Sequence, residues 1–402
     1  MIDLLSNRAK TIQPSITLTI SAKAKAMKAD GLPVLNFSAG EPDFHTPDLI
    51  KEAGIQAIRE GFTRYTAAGG TPELKAAISE KYEEELGLTF GPSEILVSNG
   101  GKHALHSVFQ ALLNPGDEVV IPAPYWLSYP DMVSLSDGKP VTLKTRMEDG
   151  YKLTIDNLKS VLTPGTKALI LNSPSNPTGT LYSAEDLAAI ASVVEPLGIV
   201  VISDDVYEKS IYDGGTFVNI LSVAPQLRDR VVIINSASKT YSMPGWRMGY
   251  AIGPAALIAG ATRIQGQATS SAGSISQKAL TFALRNTDPQ IIENFRQSFE
   301  KRRNLMFEGL QAIDWIDVHR PAGAFYLFAN VSRLMNAMEG INGSVDFCDF
   351  LLERCNIACV PGKPFGDDEC IRFSFVAEER DIMEGIERLR TLSPPVARAS
   401  QS

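Results

Sequence analysis

The 402-residue chain has little cysteine and little histidine, with four residues of each. The cysteines are Cys348, Cys355, Cys359 and Cys370. They lie near the end of the chain without CxxC spacing or accompanying histidines, which is typical of small reduced core residues rather than of metal ligands. His103 and His106 lie one helical turn apart, but no carboxylate or thiol follows at a matching spacing. We therefore expect no metal site.

The sequence also lacks long apolar runs and an excess of basic residues. No segment reaches the roughly 18 apolar residues of a membrane helix, and the start, MIDLLSNRAKTIQ, lacks the continuous apolar stretch of a signal peptide. The formal net charge is −8, whereas binding to nucleic acid or to an anionic membrane requires a basic face. We therefore expect a cytoplasmic protein that binds neither nucleic acid nor a membrane.

What the chain does contain is a regular alternation of short apolar runs and helical patterns, from about Pro47 to about Leu284. The predicted strands are Glu94–Ser98, Glu118–Pro122, Ala168–Asn172, Ile199–Ser203, Val231–Asn235 and Gly249–Ile252. Nearly all of their residues are apolar, as expected for strands that helices cover on both faces. The alternation indicates βαβ units, so we predict the α/β class with a mainly parallel sheet flanked by helices.

The length predicts a large domain and a smaller one. A long helix around Pro289–Leu310 would link the two, and the shorter elements after it predict an α+β unit. We expect an N-terminal segment (1–46) that packs with the small domain, a large domain (47–290), a small C-terminal domain (291–392) and a flexible tail (393–402).

Polar residues follow the predicted strands, at the carboxyl ends where parallel sheets collect their ligands. Asn99–Lys102 contains two glycines that let the backbone approach an anion at a helix N-terminus. Ser173–Gly179 is a rigid turn that would hold the Asn176 amide in one orientation. Asp204 is a strand-end carboxylate that requires a partner if it is buried. Taken alone, each feature has a structural alternative: a turn in the first two cases, favoured for Ser173–Gly179, and a helix N-cap in the third.

Another predicted strand, VVIIN, leads into Ser236, Ser238 and Lys239, and Arg247 follows eight residues after the lysine. A lysine among small residues at a strand end, with an arginine nearby, suits a Schiff-base lysine beside a phosphate-binding arginine. A solvated surface lysine is the alternative.

Nine short blocks, in the same order, resemble the class I aspartate aminotransferases, which are fold-type I pyridoxal-phosphate enzymes. The blocks are Ala39–Phe44, Thr63–Thr66, Asn99–Lys102, Pro124–Trp126, Asn176–Gly179, Ser203–Tyr207, Ser238–Lys239, Gly245–Arg247 and Ile371–Ser374. The resemblance covers essentially the whole chain apart from the tail. It implies pyridoxal 5′-phosphate as cofactor, a large cofactor-binding domain, a smaller α+β domain and a homodimer with shared active sites.

The resemblance also implies roles in cofactor binding. Lys239 would bind the cofactor as a Schiff base and carry the transferred proton. Asp204 would pair with the protonated pyridine nitrogen and keep the ring an electron sink. Tyr207 and Asn176 would hydrogen-bond the phenolic oxygen, and Trp126 would stack on the ring. The expected phosphate contacts are Gly100, Gly101, Lys102, Ser236, Ser238 and Arg247, joined by Tyr65 of the partner subunit.

For the substrate α-carboxylate, Arg372 matches the family's substrate arginine, whose planar fork binds a carboxylate through two hydrogen bonds. The Gly40 N–H and Asn176 would assist, with Trp126 close by. A surface salt bridge is the alternative for Arg372.

For the second carboxylate, the best-known members use an arginine in the region that matches Gln265–Ser271, and this stretch contains none. A bacterial and plastid branch uses a lysine of the phosphate turn with a serine and a threonine of an N-terminal Pro-Ser-x-Thr segment. The corresponding residues here are Lys102, Ser15 and Thr17. We expect Lys102 to bind the distal carboxylate with Ser15 and Thr17 nearby, and a phosphate contact alone is the alternative for Lys102.

The predicted reaction is transfer of the amino group of L-aspartate to 2-oxoglutarate, so the partners are dicarboxylic amino acids and 2-oxo acids. Prephenate or aromatic amino acid aminotransferase activity is the alternative. Two stretches, AIREGFTRYT and FGDDECIRFS, resemble plastid enzymes that aminate prephenate, but Gln13 stands where those relatives place a lysine. A cofactor-binding regulatory module is disfavoured because no basic helix-turn-helix segment precedes residue 40.

Overall fold

The protein is described by a computed structural model that covers residues 4–12, 14 and 16–392. The α-helices are α1 (Asn7–Thr11), α2 (Ile16–Ala29), α3 (Asp48–Arg59), α4 (Pro72–Leu86), α5 (Gly101–Leu112), α6 (Ser128–Leu135), α7 (Ile155–Val161), α8 (Ala184–Val194), α9 (Ile220–Val223), α10 (Ala237–Thr240), α11 (Ala255–Ala268), α12 (Ser274–Asn286), α13 (Pro289–Gln311), α14 (Ser332–Met335), α15 (Ser344–Cys355) and α16 (Glu379–Arg390). The strands are β1 (Leu35–Asn36), β2 (Ile95–Ser98), β3 (Glu118–Ala123), β4 (Lys139–Lys144), β5 (Thr166–Asn172), β6 (Val200–Asp204), β7 (Val231–Ser236), β8 (Gly249–Ile252), β9 (Asp317–Val318), β10 (Tyr326–Asn330), β11 (Ile357–Ala358), β12 (Val360–Pro361) and β13 (Cys370–Ser374).

The largest sheet has the strand order β2-β8-β7-β6-β5-β3-β4. Strand β8 pairs antiparallel with both of its neighbours, and the other pairs are parallel. The α/β class and the mainly parallel sheet are therefore confirmed. The six predicted strands all form, each within two residues of its expected bounds.

This sheet is buried on both faces because its strands alternate between two apolar clusters. In β6, Val201 packs into one cluster with helices α4 and α8, whereas Ile202 packs into another with α5 and α11. Successive strand side chains point to opposite faces, so two apolar layers require the near-continuous apolar runs seen in the sequence. These layers hold the carboxyl ends of the parallel strands at one edge.

The smaller antiparallel sheet has the order β12-β13-β10-β9, and a separate parallel pair joins β1 to β11. The apolar core beside the four-stranded sheet lies against α13, α15 and α16 and includes Phe299, Phe325, Phe347 and Phe373. In β13, Arg372 lies opposite Phe328 of β10 and Val360 of β12, which places an arginine in the buried middle of the sheet. The division of the chain at residues 46 and 290 stays a prediction.

Two differences from the sequence expectations have simple physical causes. Strand β4, with the sequence KPVTLK, is an edge strand with exposed lysines at both ends, so it lacks the apolar run by which its neighbours were predicted. The helical pattern of the sequence predicts helix α8 as far as Leu197, whereas the helix ends at Val194, because Pro196 lacks a backbone N–H and cannot donate the next hydrogen bond of the helix. Among the described helices, none is long and apolar enough to cross a membrane.

Candidate active site

A cavity of about 490 Å³ opens between the carboxyl ends of β2, β5, β6 and β7 and the small sheet. Most of the residues expected at the site line it. They are Thr17, Gly40, Gly101, Lys102, Trp126, Asn176, Asp204, Tyr207, Ser236, Ser238, Lys239, Arg247 and Arg372. The cavity therefore brings together residues that lie as much as 355 positions apart in the chain.

Lys239 follows β7 directly, in the short helix α10. The Ser236 hydroxyl caps this helix by accepting a hydrogen bond of 3.2 Å from the Ser238 N–H, and the lysine Nζ donates to the Gly40 carbonyl. Burial lowers the pKa of Lys239 to about 8, because a low-dielectric surrounding disfavours the charged amine. A sizeable fraction of this amine is therefore neutral, and nucleophilic, near physiological pH.

Asp204 is the last residue of β6, and its side chain is buried. Its Oδ2 accepts a hydrogen bond of 2.6 Å from the Tyr129 hydroxyl, and its Oδ1 accepts a weaker one of 3.4 Å from the Val206 N–H. Burial raises the pKa of Asp204 to about 6, and the Tyr129 hydrogen bond and the charge of Lys239 oppose the rise. Asp204 is thus a buried carboxylate at the cavity with few protein donors, suited to a cationic ligand group.

The expected phosphate contacts meet at the start of α5. Gly100 has φ +90°, and a Cβ at this position would lie 2.9 Å from Cζ of Arg247, so only glycine allows the backbone to come so close. Arg247 donates to the Pro244 carbonyl at 2.8 Å and to the Asn99 carbonyl at 3.4 Å. The first N–H groups of α5 have no partner within the helix. Together, the helix N-terminus and the guanidinium form a site for an anion.

Arg372 is 2% exposed, and the groups that accept its hydrogen bonds are neutral. Its Nη1 donates to Asn176 Oδ1 and its Nη2 to the Ser38 carbonyl, both at 3.1 Å, while its Nε has no hydrogen-bond partner. The guanidinium lies 4.2 Å from the centre of the Tyr326 ring. No carboxylate of the described chain forms an ion pair with it. A buried cation without a counter-ion is costly, so this site fits a carboxylate ligand.

The remaining side chains complete the cavity. The hydroxyls of Tyr207 and Tyr326 lie 2.9 Å apart. Lys102 Nζ lies 4.9 Å from the centre of the Trp126 ring. Burial lowers the pKa of Lys102, as does the charge of Arg247. Lys102 therefore presents a cation beside the ring that is expected to stack on the cofactor.

Of the expected contacts, Tyr65 and Gly100 do not line this cavity. Tyr65 is 91% exposed and does not line the cavity of its own chain. Ser15 and Gln13 lie outside the described residues. Thr17 does line the cavity, and its Oγ1 is buried without a hydrogen-bond partner.

Sequence reasoning missed Tyr129 and Tyr326, which contact Asp204 and Arg372 respectively. Tyr129 lies three residues after Trp126, and that proximity was the only available signal. Tyr326 belongs to GAFYLFANV, one of the short segments after the long helix that predict the α+β unit, and this segment carries no signal of a site residue.

The described residues fit pyridoxal phosphate by their chemistry. The lowered pKa of Lys239 favours the neutral amine that attacks an aldehyde. The Arg247 guanidinium lies close to the Gly100 backbone, which suits binding of a phosphate. The buried carboxylate of Asp204 suits pairing with a protonated ring nitrogen. The described part of the chain contains no group of three or more side chains that could hold a metal ion. The four cysteines are free, and the sulfurs of Cys348 and Cys359 lie 3.5 Å apart in the apolar core beside the smaller sheet.

Comparison with known proteins gives the family. The model of the family described as aminotransferase class I and II matches residues 33–389. The aspartate/prephenate aminotransferase of Nitrosomonas europaea is 43% identical over 394 residues, which are 96% of this chain and 99% of that protein. The aspartate aminotransferase of Geobacillus stearothermophilus is also 43% identical, over 96% of this chain and 98% of that protein.

Solved structures agree with these relatives. The crystal structure of the aspartate aminotransferase from Rhizobium meliloti has a TM-score of 0.91 and 42% identity, and covers 97% of this chain and 98% of its own. The aspartate aminotransferase from Thermus thermophilus with maleate has a TM-score of 0.91 and 36% identity, and covers 97% of this chain and 100% of its own. The chain is therefore a pyridoxal-phosphate-dependent transaminase and belongs to the class I and II aminotransferase family.

Proposed function

We propose that the protein transfers the amino group of L-aspartate to 2-oxoglutarate, forming oxaloacetate and L-glutamate. The observation that carries this proposal is the pair of cations in the cavity: Arg372, buried without a counter-ion among the described residues, and Lys102, beside the Trp126 ring. Two cations at one cavity suit a substrate with two carboxylates. The relatives named as aspartate aminotransferases and the relative solved with maleate, a dicarboxylate, support the same substrate class.

The proposed cofactor contacts follow the geometry of the strand ends. When bound, pyridoxal phosphate supplies an electron sink for the bonds at the substrate α-carbon. Lys239 would hold the cofactor, and once displaced by substrate its Nζ would accept and return a proton. Asp204 would keep a proton on the ring nitrogen, since an ionised carboxylate stabilises a neighbouring cation. Tyr207 and Asn176 would bind the phenolic oxygen, and Trp126 would cover the ring face.

The phosphate and substrate contacts complete the proposal. Arg372 would bind the α-carboxylate with help from Asn176 and the Gly40 N–H, and Lys102 would bind the second carboxylate near Thr17 and Ser15. The proposed phosphate contacts are Gly100, Gly101, Lys102, Ser236, Ser238 and Arg247. Because phosphate and second carboxylate are both anions, Lys102 can lie close to each.

We also propose a homodimer in which Tyr65 of the partner subunit reaches the phosphate. The support is Tyr65, which is 91% exposed and does not line the cavity of its own chain. Tyrosine is enriched at protein–protein interfaces. The domain boundaries at residues 46 and 290 and the cytoplasmic location remain predictions.

Prephenate is the second candidate substrate. The relatives from Nitrosomonas europaea and Petunia hybrida carry prephenate aminotransferase in their names, the latter at 43% identity over 98% of this chain and 84% of that protein. Prephenate also has two carboxylates, so the same pair of cations suits it.

Half-reaction spectroscopy tests both candidates. Aspartate, glutamate, phenylalanine and arogenate are added separately to purified holoenzyme, and the absorbance change from the aldehyde to the amine form of the cofactor is followed. Rapid conversion by aspartate and glutamate alone supports the proposed reaction. Rapid conversion by arogenate supports the second candidate, and conversion by phenylalanine alone contradicts both.

Lys102→Met gives the residue-level test, with Lys144→Met as control because Lys144 is an exposed lysine at the end of edge strand β4. The expected result is a rise in KM for aspartate of at least about tenfold in the first variant, since a charge-assisted hydrogen bond contributes about 1.5–3 kcal/mol. Equal KM values in the two variants would show that Lys102 does not bind the substrate.

A further inference from the structure

Tyr326 lines the active-site cavity and is 1% exposed, and it has no role in the proposed function. It is the first residue of β10 and lies opposite Ser374 of β13. Residues two apart in a strand point to the same face, so Arg372 is the diagonal neighbour of Tyr326 across the two strands. The guanidinium of Arg372 accordingly lies over the Tyr326 ring, 4.2 Å from its centre. One side of Tyr326 therefore meets the proposed site for the substrate α-carboxylate.

The hydroxyl of Tyr326 meets the proposed cofactor site. Its oxygen lies 2.9 Å from the Tyr207 hydroxyl oxygen, and the two rings are nearly perpendicular, with centres 5.9 Å apart. A Cβ on Gly40 would lie 3.7 Å from the same hydroxyl, and the Gly40 carbonyl accepts a hydrogen bond from Lys239. Tyr326 thus lies between the groups proposed to serve the cofactor and the arginine proposed to serve the substrate.

The two tyrosine hydroxyls have one proton more than they use. Each hydroxyl can donate one hydrogen bond, and among the described residues each has only the other as its partner. One hydroxyl therefore donates, and the accepting hydroxyl keeps its own proton for a further acceptor. Both side chains are buried and line the cavity, where an unused donor is unfavourable. A ligand that carries a hydrogen-bond acceptor would satisfy this donor.

The phenolic oxygen of pyridoxal phosphate is such an acceptor, and its binding decides which hydroxyl donates. Without a ligand, either hydroxyl can be the donor. Once Tyr207 donates to the phenolic oxygen, its own oxygen is left to accept from Tyr326. Successive hydrogen bonds polarise one another, so donation by Tyr326 strengthens donation by Tyr207. Burial raises the pKa of Tyr326, and the charge of Arg372 opposes the rise. This opposing charge makes the Tyr326 hydroxyl a better donor.

We propose that Tyr326 is a positioning residue of the reaction: its hydroxyl strengthens the hydrogen bond from Tyr207 to the phenolic oxygen, and its ring supports Arg372. The inference rests on the proposed function, because it requires the proposed contacts of Tyr207 and Arg372. The negative charge of the phenolic oxygen attracts a proton to the neighbouring nitrogen, through which Lys239 holds the cofactor. A hydrogen bond to that oxygen offsets part of its charge, so Tyr326 should lower the pKa of this nitrogen.

Spectrophotometric titration of the holoenzyme without substrate measures this pKa, because the absorbance of the cofactor changes when the nitrogen gains its proton. Tyr207→Phe should raise the midpoint by about one pH unit, the effect of a hydrogen bond to a charged group. Tyr326→Phe should raise it by about 0.3 pH units, since one bond in a chain strengthens the next by about 10–30%. Tyr182→Phe is the control and should match the wild type. Tyr182 is buried, its hydroxyl accepts from the Leu153 N–H, and it does not line this cavity.

The double variant Tyr207→Phe/Tyr326→Phe shows whether Tyr326 acts through Tyr207. If it does, the midpoint should equal that of Tyr207→Phe alone. Additive shifts, or an unmoved midpoint in Tyr326→Phe when Tyr207→Phe shifts, would overturn the inference alone. Unmoved midpoints in both single variants would refute the proposed contact of Tyr207, and the inference with it. The titrating nitrogen also faces charged groups that none of these variants alters: Glu41, Asp204, Arg247 and Arg372.

The ring of Tyr326 has a separate test that does not depend on turnover. Succinate, a dicarboxylate without an amino group, is titrated into the holoenzyme, and Kd is read by calorimetry. Tyr326→Leu removes the ring that Tyr326→Phe keeps. It should therefore weaken succinate binding at least about threefold more than Tyr326→Phe does, as expected for the loss of a buried cation–π contact. Equal Kd values in the two variants would show that the ring does not support Arg372.

Discussion

The hydroxyl of Tyr129 donates a hydrogen bond of 2.6 Å to Oδ2 of Asp204, and both side chains are buried. Burial raises the pKa of this carboxyl to about 6, and the Tyr129 hydrogen bond opposes the rise because it stabilises the ionised form. At neutral pH the carboxylate is therefore mostly ionised, as pairing with a protonated ring nitrogen requires. Tyr129 thus positions Asp204 and helps to set its charge.

Tyr129→Phe should raise the pKa of Asp204 further. One hydrogen bond to a charged group is worth about 1.5 kcal/mol, or about one pH unit. The acidic limb of the kcat/KM profile should then move to higher pH by about that amount. Infrared spectroscopy of the carboxyl group in cofactor-free protein measures the same shift without catalysis. Tyr241→Phe is the control, since its hydroxyl forms no hydrogen bond with a described side chain, and an unmoved limb in Tyr129→Phe would contradict the prediction.

Lys239→Ala should reduce turnover by at least about 10²-fold, since it removes both the covalent attachment and a proton carrier. After borohydride reduction, the wild type should carry the cofactor on the peptide that contains Lys239, and the variant should carry none. Lys144→Ala, which changes an exposed lysine, should behave as the wild type does. Covalent cofactor on a different lysine would refute the assignment.

Cofactor capture by Lys239 should also depend on pH. The pKa of this lysine is about 8, and the neutral amine is the form that attacks the aldehyde. The rate of covalent capture by cofactor-free protein should therefore increase as pH rises towards 8 and level off above it. Stopped-flow absorbance measures this rate. A rate that keeps rising up to pH 10 would indicate an amine with the ordinary lysine pKa.

The strand-end residues could be predicted from the sequence, whereas their helix-borne partners could not. Asp204 and Lys239 follow two apolar strands, and the carboxyl ends of parallel strands share an edge. The bond from Tyr129 to Asp204 joins residues 75 positions apart, and it depends on how α6 folds back over the sheet. No local pattern specifies that path.

The same distinction holds for the fold. Strands such as β6 were predictable because burial on both faces requires a run of apolar residues. Helix α2 was not predicted, since its apolar side is narrow: among the described side chains of this helix, Ile20, Ala24 and Met27 meet the cluster around Leu352. Consequently, the sequence could indicate Thr17 only by resemblance, and it gave no sign that Ser21 and Lys25 of the same helix also line the cavity.

Arg372→Lys should weaken substrate binding far more than it destabilises the fold. The planar guanidinium offers two parallel hydrogen bonds to a carboxylate and an ammonium does not, so we expect kcat/KM for aspartate to fall about 10²-fold, or about 3 kcal/mol. Because Arg372 is buried and forms no ion pair within the described part of the chain, the melting temperature should change little. Arg333→Lys, at an exposed arginine, is the control. Unchanged kinetics in Arg372→Lys would exclude it from the carboxylate site.

The ion pair between Arg303 and Asp213 should stabilise the fold. Arg303 is fully buried in α13, and its two terminal nitrogens donate to the two Asp213 oxygens at 2.8 Å each. Asp213→Asn leaves this guanidinium buried without its closest negative charge. Breaking a fully buried pair costs about 3–5 kcal/mol, and since the Asp213 side chain is 51% exposed, water can replace part of the interaction. We expect a loss of about 2 kcal/mol in the free energy of unfolding.

Denaturant unfolding at several pH values measures this loss. Arg303 and Arg320 hold the pKa of Asp213 well below its ordinary value. A lowered folded-state pKa contributes stability above the unfolded-state pKa of about 3.9, and this contribution disappears as pH falls below it. The difference between wild type and Asp213→Asn should therefore be largest near pH 7 and shrink from about pH 5 downwards. Asp137→Asn, which breaks an exposed pair with Arg8, should cost less than about 1 kcal/mol. Equal losses in the two variants would show that burial of Arg303 does not strengthen its pair.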